Sequence, residues 1–263
     1  RVYGLFSPYQ LGRTMKHTWK LLTTALVIAS SNLMAAEHSL TASDGHALKT
    51  DYFSAEKQSN RAVLMLHQCN YNRSMYKDIG EQLAERGIHA LSLDFRGYGD
   101  SKSEQYDVDT LLSLSQDEIR QAWTTFAAAW PSDVQLAYDF LKQKAGDNAT
   151  IGVIGASCGG GQAITLAEKN PISAIGFFSS AQNDDNVARY KQTLSDTSTL
   201  IIAAEDDGFT FTSAHTLFDT SQNPDSKFIS YKAGGHGYPL LDKDPQLATS
   251  IAAWFEQRLT SSK

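Results

Sequence analysis

Short apolar-rich runs recur along this chain, at residues 62–66, 88–93, 151–154, 172–178, 200–204 and 228–231, the first of them continuous. Runs of this length without polar alternation suit strands buried on both faces, and such strands belong to parallel sheets covered by helices. The stretches between them supply the helices. Ile79 and Leu83 start a stripe that stops at Gly87, while Val134, Ala137, Tyr138 and Leu141, and later Leu247, Ile251, Trp254 and Phe255, recur at helical spacing. Strand alternating with helix predicts an α/β domain built on a mainly parallel sheet. The opening differs: residues 38–41 and 47–53 flank the turn-forming group Ser43-Asp44-Gly45, which predicts an antiparallel hairpin. At 263 residues and 41% hydrophobic, the chain has enough apolar surface for one large core.

Charge narrows the partners. The formal net charge is -6, from 29 acidic and 23 basic side chains scattered in both signs, so there is no basic stripe to neutralise a row of phosphates. Nucleic acid is not an expected partner. There is no Cys/His spacing of the zinc kind and no Gly-rich loop closing on Lys-Ser or Lys-Thr, so neither a metal nor a nucleotide cofactor is expected.

The first residues read as targeting signal. From Met15 come Lys16, His17 and Lys20, then the apolar stretch 21–29, then small residues ending at Ala35-Ala36, a pattern similar to a secretory signal peptide over residues 15–36. The alternative, a membrane anchor, lacks the roughly 20 apolar residues of a span, and Ser30, Ser31 and Asn32 interrupt it. Cleavage after Ala36 or Ala35 is expected, giving a periplasmic or secreted domain over residues 37–263. Residues 1–14 are given no role in the fold.

The chemistry gathers at strand ends. The run 151–154 leads into Gly155-Ala156-Ser157-Cys158-Gly159-Gly160-Gly161 and a helical segment at 163–167, matching the nucleophile elbow Gly-x-Ser-x-Gly. The flanking glycines let a strained serine stand between strand and helix without collision. A dinucleotide-binding turn is the rival reading, but the spacing is not Gly-x-Gly-x-x-Gly and the turn lies in mid-chain. A serine hydroxyl needs a base oriented by a carboxylate, in the chain order Ser, Asp/Glu, His. The strand at 200–204 ends in Glu205-Asp206-Asp207-Gly208, and the last strand is followed by Gly234-Gly235-His236-Gly237. Singly, an acidic turn or a loop histidine is unremarkable; together and in order they point to a triad.

With these residues the chain over about 38–260 resembles the α/β-hydrolase superfamily, and its short link between the strands at 172–178 and 200–204 is most similar to the dienelactone hydrolase branch and related small esterases. Leu66-His67-Gln68-Cys69 resembles the His-Gly-x loop that donates to an oxyanion. Asp94-Phe95-Arg96-Gly97-Tyr98-Gly99-Asp100-Ser101 resembles the Asp-x-Arg-Gly-x-Gly-x-Ser segment, and Gly235-His236-Gly237 the histidine loop. The resemblance implies a sheet of about eight strands with helices on both faces. It also selects Asp207 over Asp206 as the triad acid, and implies an oxyanion hole from the backbone N–H groups of Cys69 and Cys158. Two positions depart from the pattern. Dienelactone hydrolases proper have Cys at the nucleophile position, so Ser157 does not bring lactone specificity with it. Gln68 stands where Gly is usual, and Gln does not adopt positive φ cheaply.

The resemblance implies acyl transfer to Ser157 with His236 as base. A carboxylesterase acting on small or medium esters is expected; a peptidase or thioesterase on the same triad, or a non-catalytic binding protein of this fold, are the rivals. If Cys69 and Cys158 both donate to one oxygen, their nitrogens lie within about 6 Å, a separation a disulfide can close. Two buried free thiols remain the equal alternative. Cys158 as nucleophile fits less well, because Ala156 would then occupy the first glycine position. Residues 103–132 are longer than a simple connection needs. Leu111, Leu112, Leu114, Ile119, Trp123, Phe126 and Trp130 make this stretch a candidate lid, with ordinary packing against the sheet as the equal alternative.

Overall fold

The computed structural model describes residues 35–111 and 113–259; the candidate signal peptide falls almost wholly outside them. Eight strands form one sheet: β1 (Ala36–Thr41), β2 (Ala47–Phe53), β3 (Arg61–Leu66), β4 (His89–Leu93), β5 (Thr150–Ala156), β6 (Ala174–Phe178), β7 (Ser198–Ala204) and β8 (Lys227–Tyr231), in the order β1-β2-β4-β3-β5-β6-β7-β8. Strands β3 to β8 are mutually parallel, and the β1–β2 hairpin joins antiparallel to β4. All six parallel strands therefore deliver their following loops to one edge of the sheet. Between β3 and β5 the strand order reverses direction, which opens a crevice at that edge.

The helices are α1 (Lys77–Glu85), α2 (Val108–Leu111), α3 (Gln116–Ala145), α4 (Cys158–Ala167), α5 (Asp184–Thr193), α6 (Phe209–Phe218), α7 (Pro239–Lys243) and α8 (Pro245–Arg258). Alternating side chains of each central strand go to opposite faces, and both faces are apolar. Leu64, Leu66, Ile151 and Val153 meet α3 to α6, while Val63, Met65, Ile154 and Ala156 meet α1 and α8. No helix among the described residues is long and apolar enough to cross a membrane.

The stretch read as a candidate lid is largely helix α3, continuous through Pro131. Its aromatic residues pack on the loop after β4. Trp130 stacks on Phe95 at 5.1 Å and donates its indole N–H to the Arg96 carbonyl, and Trp123 sits edge-on to Trp130. Arg96 is itself buried. Its guanidinium donates to both oxygens of Asp133 on α3, at 2.9 and 2.8 Å, and reaches Asp44 in the hairpin turn. One cation thus ties hairpin, loop and helix together, and burial still holds the Asp133 carboxyl above the usual carboxylate range against the pull of Arg96. Asp94 works the same way at the start of that loop. Its carboxylate accepts the backbone N–H groups of Arg73 and Asp100, at 2.6 and 2.9 Å, and occupies the space a side chain at Gly99 would need. Through Asp94 and Arg96 the Asp94 to Ser101 segment braces the hairpin, the loop after β3 and α3.

Candidate active site

Strand β5 turns into α4 through Ser157, whose φ of 50° and ψ of -116° lie where L-residues are strained. Among the described non-glycine residues only Ser157 and Ser179 have positive φ. The surroundings hold the conformation in place. A methyl group at Gly155 would overlap the Gly159 backbone, and one at Gly159 would run into the Leu66 carbonyl. The Ser157 N–H donates to the Phe178 carbonyl at 3.0 Å, and its carbonyl accepts from the Ser180 hydroxyl. The helix begins immediately, at Cys158, five residues earlier than the sequence reading placed it.

The loop after β3 lies against this elbow. Cys69 and Cys158 are joined by a disulfide that spans 89 residues of sequence, with Cα atoms 5.8 Å apart. Neither the Cys69 nor the Cys158 backbone N–H donates to another group of the protein among the described residues. The expected difficulty at Gln68 does not arise, because its φ is not positive. The turn is closed by the Tyr71 N–H, which donates to the Gln68 carbonyl at 3.0 Å, and the neighbouring histidine braces the same carbonyl. His67 is fully buried; its Nε2 accepts the Phe95 N–H at 3.0 Å, so Nδ1 carries the proton and donates to the Gln68 carbonyl at 2.7 Å.

Burial pushes the His67 imidazole down to about 4 from its ordinary 6.5. The sign follows from linkage: between these values the unfolded chain binds a proton that the folded chain refuses, so the stabilising share of neutral His67 is complete above 6.5 and is lost as pH falls toward 4. The expected slope is about 1.4 kcal/mol per pH unit within that window. Urea unfolding as a function of pH checks it, since His67→Asn should show a slope shallower by about one proton.

Asp207 and His236 come from the far half of the sheet. After β7, a short 3-10 turn carries Glu205, Asp206 and Asp207, and after β8 the histidine loop returns across the edge. Asp207 Oδ2 and His236 Nδ1 lie 2.7 Å apart, with Asp207 nearly buried and His236 about one-third exposed. The two aspartates do different things. Asp206, which sequence reasoning weighed only as the rival triad acid, accepts the backbone N–H groups of Gly234 and Gly235 at 3.0 to 3.1 Å. These bonds hold its carboxyl below the usual carboxylate range. Asp207 grips the imidazole, and Asp206 grips the loop that carries it. No hydrogen bond joins Ser157 to His236 among the described residues; the strand ends bring the elbow, the imidazole and the carboxylate to the same edge of the sheet. Beside the Cys69 loop a cleft of about 570 Å3 opens, walled by Tyr71, Tyr98 and Val108.

An eight-stranded, mostly parallel sheet with this elbow, acid turn and histidine loop defines an α/β-hydrolase. The chain belongs to the dienelactone hydrolase family, whose model matches residues 49–256, and is a hydrolase acting on ester bonds. Solved structures agree on the fold. An esterase of Pyrococcus furiosus is similar at a TM-score of 0.64 and 16% identity, over 87% of this chain and 92% of its own. A cold-adapted esterase from an Arctic intertidal metagenomic library gives 0.64 and 19%, over 85% and 93%. The dienelactone hydrolase of Anabaena variabilis gives 0.59 and 19%, over 86% and 97%. No curated protein matches the chain.

Proposed function

We propose that the protein is a serine carboxylesterase for small or medium substrates, working through an acyl-enzyme on Ser157 with His236 as base and Asp207 as its orienting acid. The observation that carries this reading is the imidazole-carboxylate pair of His236 and Asp207, fixed at 2.7 Å on the edge where Ser157 is held in its strained turn. The His236 ring gives its Nδ1–H to Asp207, which leaves Nε2 as the free lone pair. Nε2 takes the Ser157 proton as the hydroxyl oxygen attacks the ester carbonyl, and returns it to the departing alcohol. Water repeats the sequence to release the acid.

The developing oxyanion is received by the Cys158 N–H at the first turn of α4 and by the Cys69 N–H opposite, neither of which has another acceptor among the described residues. Of the proposed site residues Cys69 alone borders the cleft walled by Tyr71, Tyr98 and Val108, and this cleft is the proposed place for an acyl or alcohol group of modest size. The reading also places the mature chain in an oxidising compartment, periplasmic or extracellular, and the disulfide supports that placement. A fluorophosphonate probe should label the protein at one serine, and short-chain nitrophenyl esters should turn over faster than matched thioesters or peptide amides. Faster cleavage of the thioester or amide would reassign the leaving group, and no labelling at all would remove the serine mechanism.

A further inference from the structure

The loop after β3 and the histidine loop come from strands on opposite sides of the crevice, yet they are fastened to each other. Gln68 is 1% exposed; its side-chain Oε1 accepts the backbone N–H of Tyr238 at 2.7 Å, and its Nε2 donates to the Asn70 side chain. The histidine loop is shaped around that amide. Gly237 has a φ of 72°, and a methyl group there would collide with Gln68 Oε1. Beside the bond, Tyr71 of the first loop stacks on Tyr238 of the second, with ring centroids 4.2 Å apart.

From this geometry we infer that Gln68 is a positioning residue, a latch that sets His236 relative to the oxyanion donors by holding Tyr238, two residues beyond the imidazole. The inference rests on the serine-hydrolase reading above. The histidine loop is held at its start by Asp206 through Gly234 and Gly235, and at its end by Gln68 through Tyr238. The first loop is in turn bonded to the elbow through Cys69 and Cys158. Nucleophile, oxyanion donors and base are therefore connected in series, and the Gln68 amide is the link between the second and the third. A base displaced by about 1 Å loses on the order of 100-fold in rate while substrate still binds. The loss therefore belongs in kcat and not in KM.

The test compares the wild type with Gln68→Met, which keeps the length but loses the acceptor, and with Gln68→Glu, which keeps an acceptor oxygen for Tyr238. On a nitrophenyl ester, kcat of Gln68→Met should fall about 10-fold or more with KM within about threefold. Labelling by the fluorophosphonate should slow in parallel, and Gln68→Glu should recover most of the loss. If Gln68→Met does not fold, Gly237→Ala breaks the same contact from the opposite loop and should show the same fall in kcat. A latch variant that folds and keeps the wild-type kcat and labelling rate overturns the inference while leaving the hydrolase reading intact, as does a loss confined to KM. A wild-type chain that neither labels nor turns over overturns the hydrolase reading, and the latch falls with it.

Discussion

Ser157→Ala should lower ester turnover by about 10⁴-fold or more, toward the residual rate that binding and oxyanion donors give without a nucleophile. The same substitution should leave stability within about 1 kcal/mol of the wild type. The two halves of this expectation come from one fact: among the described residues the Ser157 hydroxyl has no hydrogen-bond partner, so its removal orphans nothing. Its backbone bonds to Phe178 and Ser180 persist, and alanine suffers the same positive φ that serine already does. Nitrophenyl ester hydrolysis and urea unfolding, measured on the same preparation, check both halves. Turnover within tenfold of the wild type in a folded Ser157→Ala protein would dismiss Ser157 as nucleophile.

The second large effect is on stability. Opening the Cys69–Cys158 bridge frees a loop whose ends are 89 residues apart in the unfolded chain. Chain-entropy reasoning gives about 4.6 kcal/mol for a loop of that length. Set against total stabilities of roughly 5 to 15 kcal/mol for a domain, this is a large share. The double substitution Cys69→Ser with Cys158→Ser should therefore move the urea midpoint far down, and adding dithiothreitol to the wild type should do the same while leaving the variant unchanged. Activity should fall with it, because both proposed oxyanion donors sit on the bridged residues. A change in unfolding free energy under 1 kcal/mol would show that the bridge constrains little.

Much of this architecture is written in local pattern. Residues 62–66 and 151–154 read as doubly buried strands because every side chain there is apolar, and they pair side by side in the sheet as β3 and β5. The Ser43-Asp44-Gly45 turn marked the hairpin. The elbow was legible because steric demand fixes glycine at 155 and 159, and steric demand is visible in one sequence. Other features depend on contacts between distant segments and leave no local trace. Nothing around Asp206 says that it will meet Gly234 and Gly235, since an acidic turn looks the same whether its carboxylates bind backbone or water. In the sequence Gln68 reads only as a missing glycine. The signal for its role is the pairing of that odd side chain with the glycine that precedes Tyr238, whose N–H it accepts across 170 positions. Helix α4 starts at Cys158 although Gly159, Gly160 and Gly161 disfavour helix in isolation, because close packing on Leu66 and Ser180 overrides that preference.

The adjacency of β3 and β5 also constrains the order in which the molecule can be assembled. The chain from 67 to 149 must travel out through α1, β4 and α3 and come back before the two central strands can lie together, so their meeting is a late, long-range event. Only then are the two sulfur atoms near each other. With just two cysteines in the whole sequence there is no wrong partner inside the chain, and oxidation acts as a seal placed on a finished centre. The rate at which thiols disappear during oxidative refolding should accordingly report when β3 finds β5, with misoxidised material confined to species linked between chains.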